Sequence, residues 1–236
     1  MPRKNGIGQT ETLNLVSPPR LSGYGLIYTQ QGQGMTPKIF GRTYDALKRE
    51  VTNGRYHPGQ RLQARALAEV LKTSTSPVTS AMRQLVGEDI LEYSEQDGFI
   101  IPRVTERRLH DLFSWSSWLS MRKAPLASDN DGEHEPMIVE ATDDILASTE
   151  EMLLATAIYS RNSELVRSAM NNNDRLRATR RLEPSLFSDL QSEILALMAK
   201  WNERDDAGFR SLLSAYHARR LDAVKHLVVL SYQDRK

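Results

Sequence analysis

The chain contains no cysteine among its 236 residues. That excludes a disulfide framework, a cysteine nucleophile and any thiolate metal site. It has no run of about 18 consecutive apolar residues, so no membrane span is expected. Its start, "MPRKNGIGQT", carries basic residues without an apolar core behind them and does not read as a secretory signal. A cytoplasmic location fits all three. Large charge of one sign is also missing: the formal net charge is +1. No glycine-rich phosphate loop, His-Glu-x-x-His or nucleophile elbow occurs, so no enzyme, cofactor or metal is expected from motifs. The paired acids Asp143-Asp144, Glu150-Glu151 and Asp205-Asp206 are adjacent. Helix neighbours point apart, so these read as solvated faces or caps.

The near-zero total hides an asymmetry. Residues 38–104 carry ten basic and eight acidic side chains; residues 105–236 carry eighteen and twenty-one. Within 43–85 the count is seven against three. A modest basic patch there suits a polyanion.

Glycine and proline gather in residues 1–40 without apolar periodicity, which predicts a flexible arm. Next, "TYDALKREVTNG" predicts a helix with Thr43 as N-cap, Tyr44, Leu47 and Val51 inward, and Gly54 as the stop. Pro58-Gly59 signals a turn. "QARALAEVL" predicts a short helix with Leu67, Val70 and Leu71 inward. Ser76-Pro77 then starts another, with Ser76 capping and Val78, Ala81, Met82 and Leu85 buried. Two strand-like runs, Ile90–Tyr93 and Phe99–Ile101, flank an Asp97-Gly98 turn. Three helices and a β-hairpin form a winged helix-turn-helix outline over residues 41–104. Residues 105–236 read as an all-helical bundle with segments near 142–160, 163–181, 185–203 and 206–232, and an acidic loop at 124–136. The fold expected is mainly α: a winged helix followed by helices.

The segment 51–104 resembles the GntR family of bacterial transcription regulators. The resemblance rests on Gly54, Pro58-Gly59-x-x-Leu62, Leu67-Ala68-Glu69, Ser74-x-x-Pro77-Val78-x-x-Ala81, Leu85 and the wing Gly98. It implies a homodimer on a double-stranded DNA operator, with a small molecule sensed by the C-terminal domain. Repression is the simpler mode, since occupying a promoter needs no further surface.

In such a domain the helix after Ser74 enters the major groove. The family usually has arginines where Thr75 and Thr79 stand here. Threonine offers one hydrogen bond and a methyl, so guanine readout should give way to methyl, shape and phosphate contacts. The expected DNA-facing residues are Arg65, Ser74, Thr75, Ser76, Thr79, Ser80 and Arg83, with Gln96, Gly98 and Arg103 on or beside the wing.

The helical part is similar to the FCD-type sensor of the FadR-like branch, through "NSEL" at 162–165 and Asp206 and His217. Sensors of that type commonly hold a metal with an aspartate and three histidines. Here Ala147, Glu151 and Leu195 stand at three of those places and only His217 remains, so no metal is expected. Ser116 stands where an effector-gripping arginine is common. Effector candidates are Ser116, Glu151, Arg177 and His217, with Arg177, Arg180 and Arg181 forming a basic run in "RLRATRRLE". Trp115, Trp118 and Trp201 suit a ligand pocket, a core or a dimer contact. The alternative to a regulator is a dimeric interaction or scaffold protein whose winged helix is kept for protein contacts.

Overall fold

The computed structural model describes residues 38–121 and 138–233. Most of the N-terminal arm, and the acidic loop at 124–136, lie outside the described residues. The chain is a winged helix followed by a helical bundle.

Helix α1 (Lys38–Thr52) opens the winged helix. Thr43 lies inside it, buried, rather than capping it. The strand β1 (Arg61–Leu62) was not expected; it pairs antiparallel with β3 (Gly98–Ile100), which pairs with β2 (Glu92–Ser94). The sheet order is β1-β3-β2. Helices α2 (Ala64–Val70) and α3 (Thr75–Gly87) form the helix-turn-helix. Leu47, Leu67, Val78, Ala81, Met82 and Leu85 are buried together in one core. Val70 is the exception to the expected stripe and is exposed. The reason is the shortness of α2, whose one apolar face is already filled by Leu67 and Ala68.

The cap of α3 is Ser74, two residues ahead of the Ser76 expected. Pro77 therefore sits in the first turn, where its missing N–H costs no helical bond. Four helices close on residues other than glycine in the left-handed region: Lys72 after α2, Asp89 after α3, and Arg161 and Arg204 further on. At Lys72 the Thr73 amide reaches back to the Ala68 carbonyl at 3.0 Å; at Asp89 the Ile90 amide reaches Leu85 at 3.0 Å. These paired back-bonds satisfy the last carbonyls and offset the backbone strain.

The bundle contains α4 (Glu106–Met121), α5 (Ile145–Tyr159), α6 (Ser163–Arg180), a 3-10 turn (Glu183–Ser185), α7 (Leu190–Asn202), α8 (Asp206–Asp222) and α9 (Val224–Ser231). The last expected helix is thus broken at Ala223, and the one expected from 185 begins at Leu190. Asp144, Asn162 and Asp205 cap their helices by accepting backbone amides. One core packs Met152, Leu197, Trp201, Phe209 and Leu213. A second joins Leu109, Phe113, Leu176 and Leu227. Leu212 on α8 is partly exposed. Among the described residues, no helix is long and apolar enough to cross a membrane.

The winged helix is fastened to the bundle by polar contacts. Lys48 on α1 bridges Glu88 at 2.9 Å and Asp174 on α6 at 2.7 Å. Asn171 on α6 donates to the Glu88 carbonyl at 2.8 Å. Burial opposes the charge on Lys48, but Asp174, Tyr44 and Glu88 outweigh it and raise its pKa.

Candidate nucleic-acid interface

Helix α3 buries Val78, Ala81, Met82 and Leu85 against α1 and α2. That leaves Thr75, Ser76, Ser80 and Arg83 exposed, with Thr79 half-buried between them. Ser74 is exposed at the helix start, and its side chain makes no cap bond to the helix amides. The Thr79 hydroxyl donates to the Thr75 carbonyl at 2.9 Å. Its proton is committed inside the helix, so what it presents outward is an acceptor oxygen and a methyl group.

Arg65 on α2 is exposed and lies 3.6 Å from Glu69 one turn on. Such an exposed pair contributes little and yields readily to a phosphate. On the wing, Gln96 is exposed in the turn and Gly98 takes φ +71°, the conformation the hairpin turn requires. The Tyr93 ring lies against Phe99, tilted by 57° with centroids 5.0 Å apart, and is exposed. Arg61 pairs with Asp97 across the sheet. Arg61 and Tyr93 were missed in the sequence, because a two-residue strand and an outward aromatic carry no periodic signal. Arg103 is exposed and lies over Gly59, its Nε 3.6 Å from where a Cβ would stand. It flanks the junction with the bundle as well as the wing.

The bundle has a polar interior. Ser116 and His217 are both buried, and Ser120 links them: its hydroxyl lies 2.7 Å from His217 Nε2 and donates to the Ser116 carbonyl at 2.8 Å. Arg180 reaches Ser116 Oγ at 3.4 Å and Asn173 Oδ1 at 2.8 Å. Asn173 donates to the Glu150 carbonyl at 3.1 Å. Glu150 holds Arg177 through two oxygens, Nε to Oε1 at 2.9 Å. Glu150 is therefore a buried ion-pair partner, not a solvated face. Glu183, which follows the basic run, is buried on Arg220 at 2.9 Å. Burial alone raises the carboxyl pKa of Glu151, which is outside this network.

His217 Nδ1, Arg180 Nε and the Tyr216 hydroxyl have no hydrogen-bond partner among the described residues. Burial first, then Arg180 and Arg220, push the His217 pKa down to about 3. A neutral imidazole beside two guanidinium groups repels a cation and attracts an anion. The residues present do not fit the metal site that FCD-type sensors carry: Leu195 is exposed, and no group of three or more His, Asp and Glu gathers among the described residues. Trp201 is buried in the core. Trp115 and Trp118 stack on each other at 4.9 Å and stay partly exposed, at 42% and 43%.

Residues 40–101 match the family model for bacterial regulatory proteins of the gntR family. The uncharacterized HTH-type transcriptional regulator YdhC of Bacillus subtilis is 30% identical over 97 residues, 41% of this chain and 43% of YdhC. The HTH-type transcriptional regulator McbR of Escherichia coli is 32% identical over 84 residues, 36% of this chain and 38% of McbR. The matches thus span less than half the length of either relative. The solved structure of E. coli McbR/YncC shares the fold, with a TM-score of 0.60 at 20% identity, over 81% of this chain and 99% of that one. The family match is confined to residues 40–101, which form a winged helix of the gntR type.

Proposed function

We propose that the protein is a sequence-specific DNA-binding transcription regulator. The observation that carries this reading is the outward face of α3. It presents Thr75, Ser76, Ser80 and Arg83 beside a helix start whose Ser74 side chain caps nothing. A helix start with free amides and small hydroxyls suits a phosphate, and the first turns suit base edges. Arg65 and Arg83 supply backbone charge at the flanks. Gln96, Gly98 and Arg103 belong to the wing contact.

The protein acts as a homodimer, since a two-fold operator needs two heads. The stacked Trp115 and Trp118 supply an aromatic surface suited to such a contact. The effector is a small anion held in the bundle interior, with Ser116 and His217 at its centre and Arg180 as the charged partner. Arg177, already neutralised by Glu150, and Glu151 stand at its margin. Repression, a cytoplasmic location and the division at residues 41–104 and 105–236 complete the reading.

Selection of bound sites from random duplex DNA, followed by anisotropy titration, tests it. A recovered two-fold site is expected, with affinity falling steeply with salt at about 0.9 log unit per phosphate contact. A folded dimer that shifts no duplex at low salt would transfer the winged helix to protein contacts.

A further inference from the structure

The winged helix and the bundle do not meet flush. A crevice of about 90 Å³ lies between them. That is several times the roughly 10–15 Å³ a single water needs, room for a small organic molecule. Val51, Ile90 and Ile101 form its wall on one side, Leu109 and Leu112 on the other. Both walls are apolar, while three arginines, Arg103, Arg108 and Arg175, line the same crevice.

The charges there are not balanced. Asp174 faces the crevice, but Lys48 already occupies it at 2.7 Å. Arg108 is held by Glu92 on the wing. Arg175 has only Asp89, a distant 3.8 Å away and largely exposed. Its Nε is buried and has no hydrogen-bond partner among the described residues. Burial lowers the pKa of Arg175, and the positive Arg108 lowers it further. Two like charges stand in a part-apolar cleft, Arg108 on Glu92 and Arg175 on the more distant Asp89, with one Arg175 N–H unused. A bound carboxylate would satisfy that N–H, screen the two arginines from each other and place its apolar end between the walls.

We propose that this junction is a second ligand site, taking a small monocarboxylate with a compact apolar body, distinct from the polar interior of the bundle. Arg175 grips the carboxylate and Arg108, on α4, adds charge. The walls belong to different parts of the chain: Ile90 and Ile101 to the winged helix, Leu109 and Arg175 to the bundle. A ligand there ties the two together and fixes the angle of α3 to the bundle. Its effect on operator affinity rests on the regulator reading; its binding does not.

The test uses the full chain with benzoate and hexanoate as probes, and benzyl alcohol and inorganic phosphate as controls. Binding is followed by calorimetry and by amide shifts without DNA. Both carboxylates should bind more tightly than either control, since one control lacks the charge and the other the apolar body. Arg175→Gln should weaken them about tenfold or more, and Arg167→Gln, which removes an exposed charge from the same helix, should leave them unchanged. Arg175→Lys keeps the charge and guards against a folding defect; it should also bind more weakly, because the fork is lost. Shifts should centre on Ile101, Arg103 and Leu109. Shifts centred on Ser120 and His217, binding unaffected in Arg175→Gln, or no binding at millimolar probe would each overturn the site. If carboxylates follow Arg175 but no DNA is bound, the site stands and the regulator reading falls.

Discussion

Asn171 donates a hydrogen bond of 2.8 Å to the backbone carbonyl of Glu88, the residue that caps the end of α3. The side chain of Glu88 meanwhile accepts from Tyr44 and Lys48 on α1, and Lys48 goes on to Asp174. The far end of the recognition helix is therefore gripped by both α1 and α6. Any rotation of the bundle against the head must break these bonds or carry α3 with it. On the proposed function, this is the link through which a ligand in the bundle would reach α3.

Cutting that link should separate the two parts thermodynamically. In Asn171→Ala combined with Asp174→Ala, the net hydrogen bonds and the bridge at Lys48 are lost, at about 1 kcal/mol each. Calorimetric unfolding should broaden or split into two transitions, since each part keeps its own core. One sharp transition at the original midpoint would show that the apolar walls of the junction hold it without these bonds.

On the recognition helix, the committed hydroxyl of Thr79 separates two substitutions that look alike on paper. Thr79→Val keeps the outward methyl, exchanges the acceptor oxygen for a second methyl, and loses a proton that already serves the Thr75 carbonyl. Affinity for the selected operator should stay within about threefold of the original, well under the 1–3 kcal/mol of a base-reading pair. Thr79→Arg should instead create a preference for guanine at one position of each half-site. Arg65→Ala and Arg83→Ala should weaken all sequences alike and flatten the salt dependence. Anisotropy against a panel of single-base variants distinguishes these outcomes. A large loss in Thr79→Val would show that the hydroxyl turns to the DNA on binding.

The winged helix was legible in the sequence because its signals are local. Val78, Ala81, Met82 and Leu85 repeat at helical spacing, and all are buried. Gly54 and Gly98 stand where positive φ is needed. Helix ends were less legible where the left-handed residue is Lys72 or Asp89, since neither looks like a stop. The polar interior was only half legible. His217 and Ser116 came from resemblance, but Ser120 and Asn173, which connect them to Arg180 and Glu150, have no sequence pattern. They meet because α4, α6 and α8 cross, and that depends on tertiary packing rather than spacing.

His217 makes a pH prediction with a definite sign. Its pKa is about 3 in the folded protein and near 6.5 when exposed. Between these values the unfolded chain binds a proton that the folded chain refuses. Stability from this group is therefore complete above about pH 6.5 and is lost as pH falls toward 3, by up to about 1.4 kcal/mol per pH unit. In His217→Gln that part of the slope should vanish, while the carboxylate contributions remain. Urea titrations of both proteins at pH 7.0, 6.0 and 5.0 measure the difference. Parallel lines would mean that His217 is charged inside the bundle, against the two guanidinium groups beside it.

Arg220 offers the sharpest test of the bundle's polar core. It is 1% exposed, bonded to Glu183 at 2.9 Å and Glu193 at 2.7 Å, with its guanidinium carbon 3.6 Å from the centre of the Tyr216 ring. Glu183 is almost as deeply buried, so the pair has exchanged water for each other. Removing one partner leaves a charge that nothing compensates. Arg220→Ala should cost about 3–5 kcal/mol, more than its lost packing alone. Arg220→Met with Glu183→Leu removes both charges at similar volume and should recover much of that loss. Denaturant midpoints at neutral pH read both values. If the double variant is no more stable than Arg220→Ala, then the shape of the ion pair around Tyr216, and not its charge balance, holds α8 against the 3-10 turn.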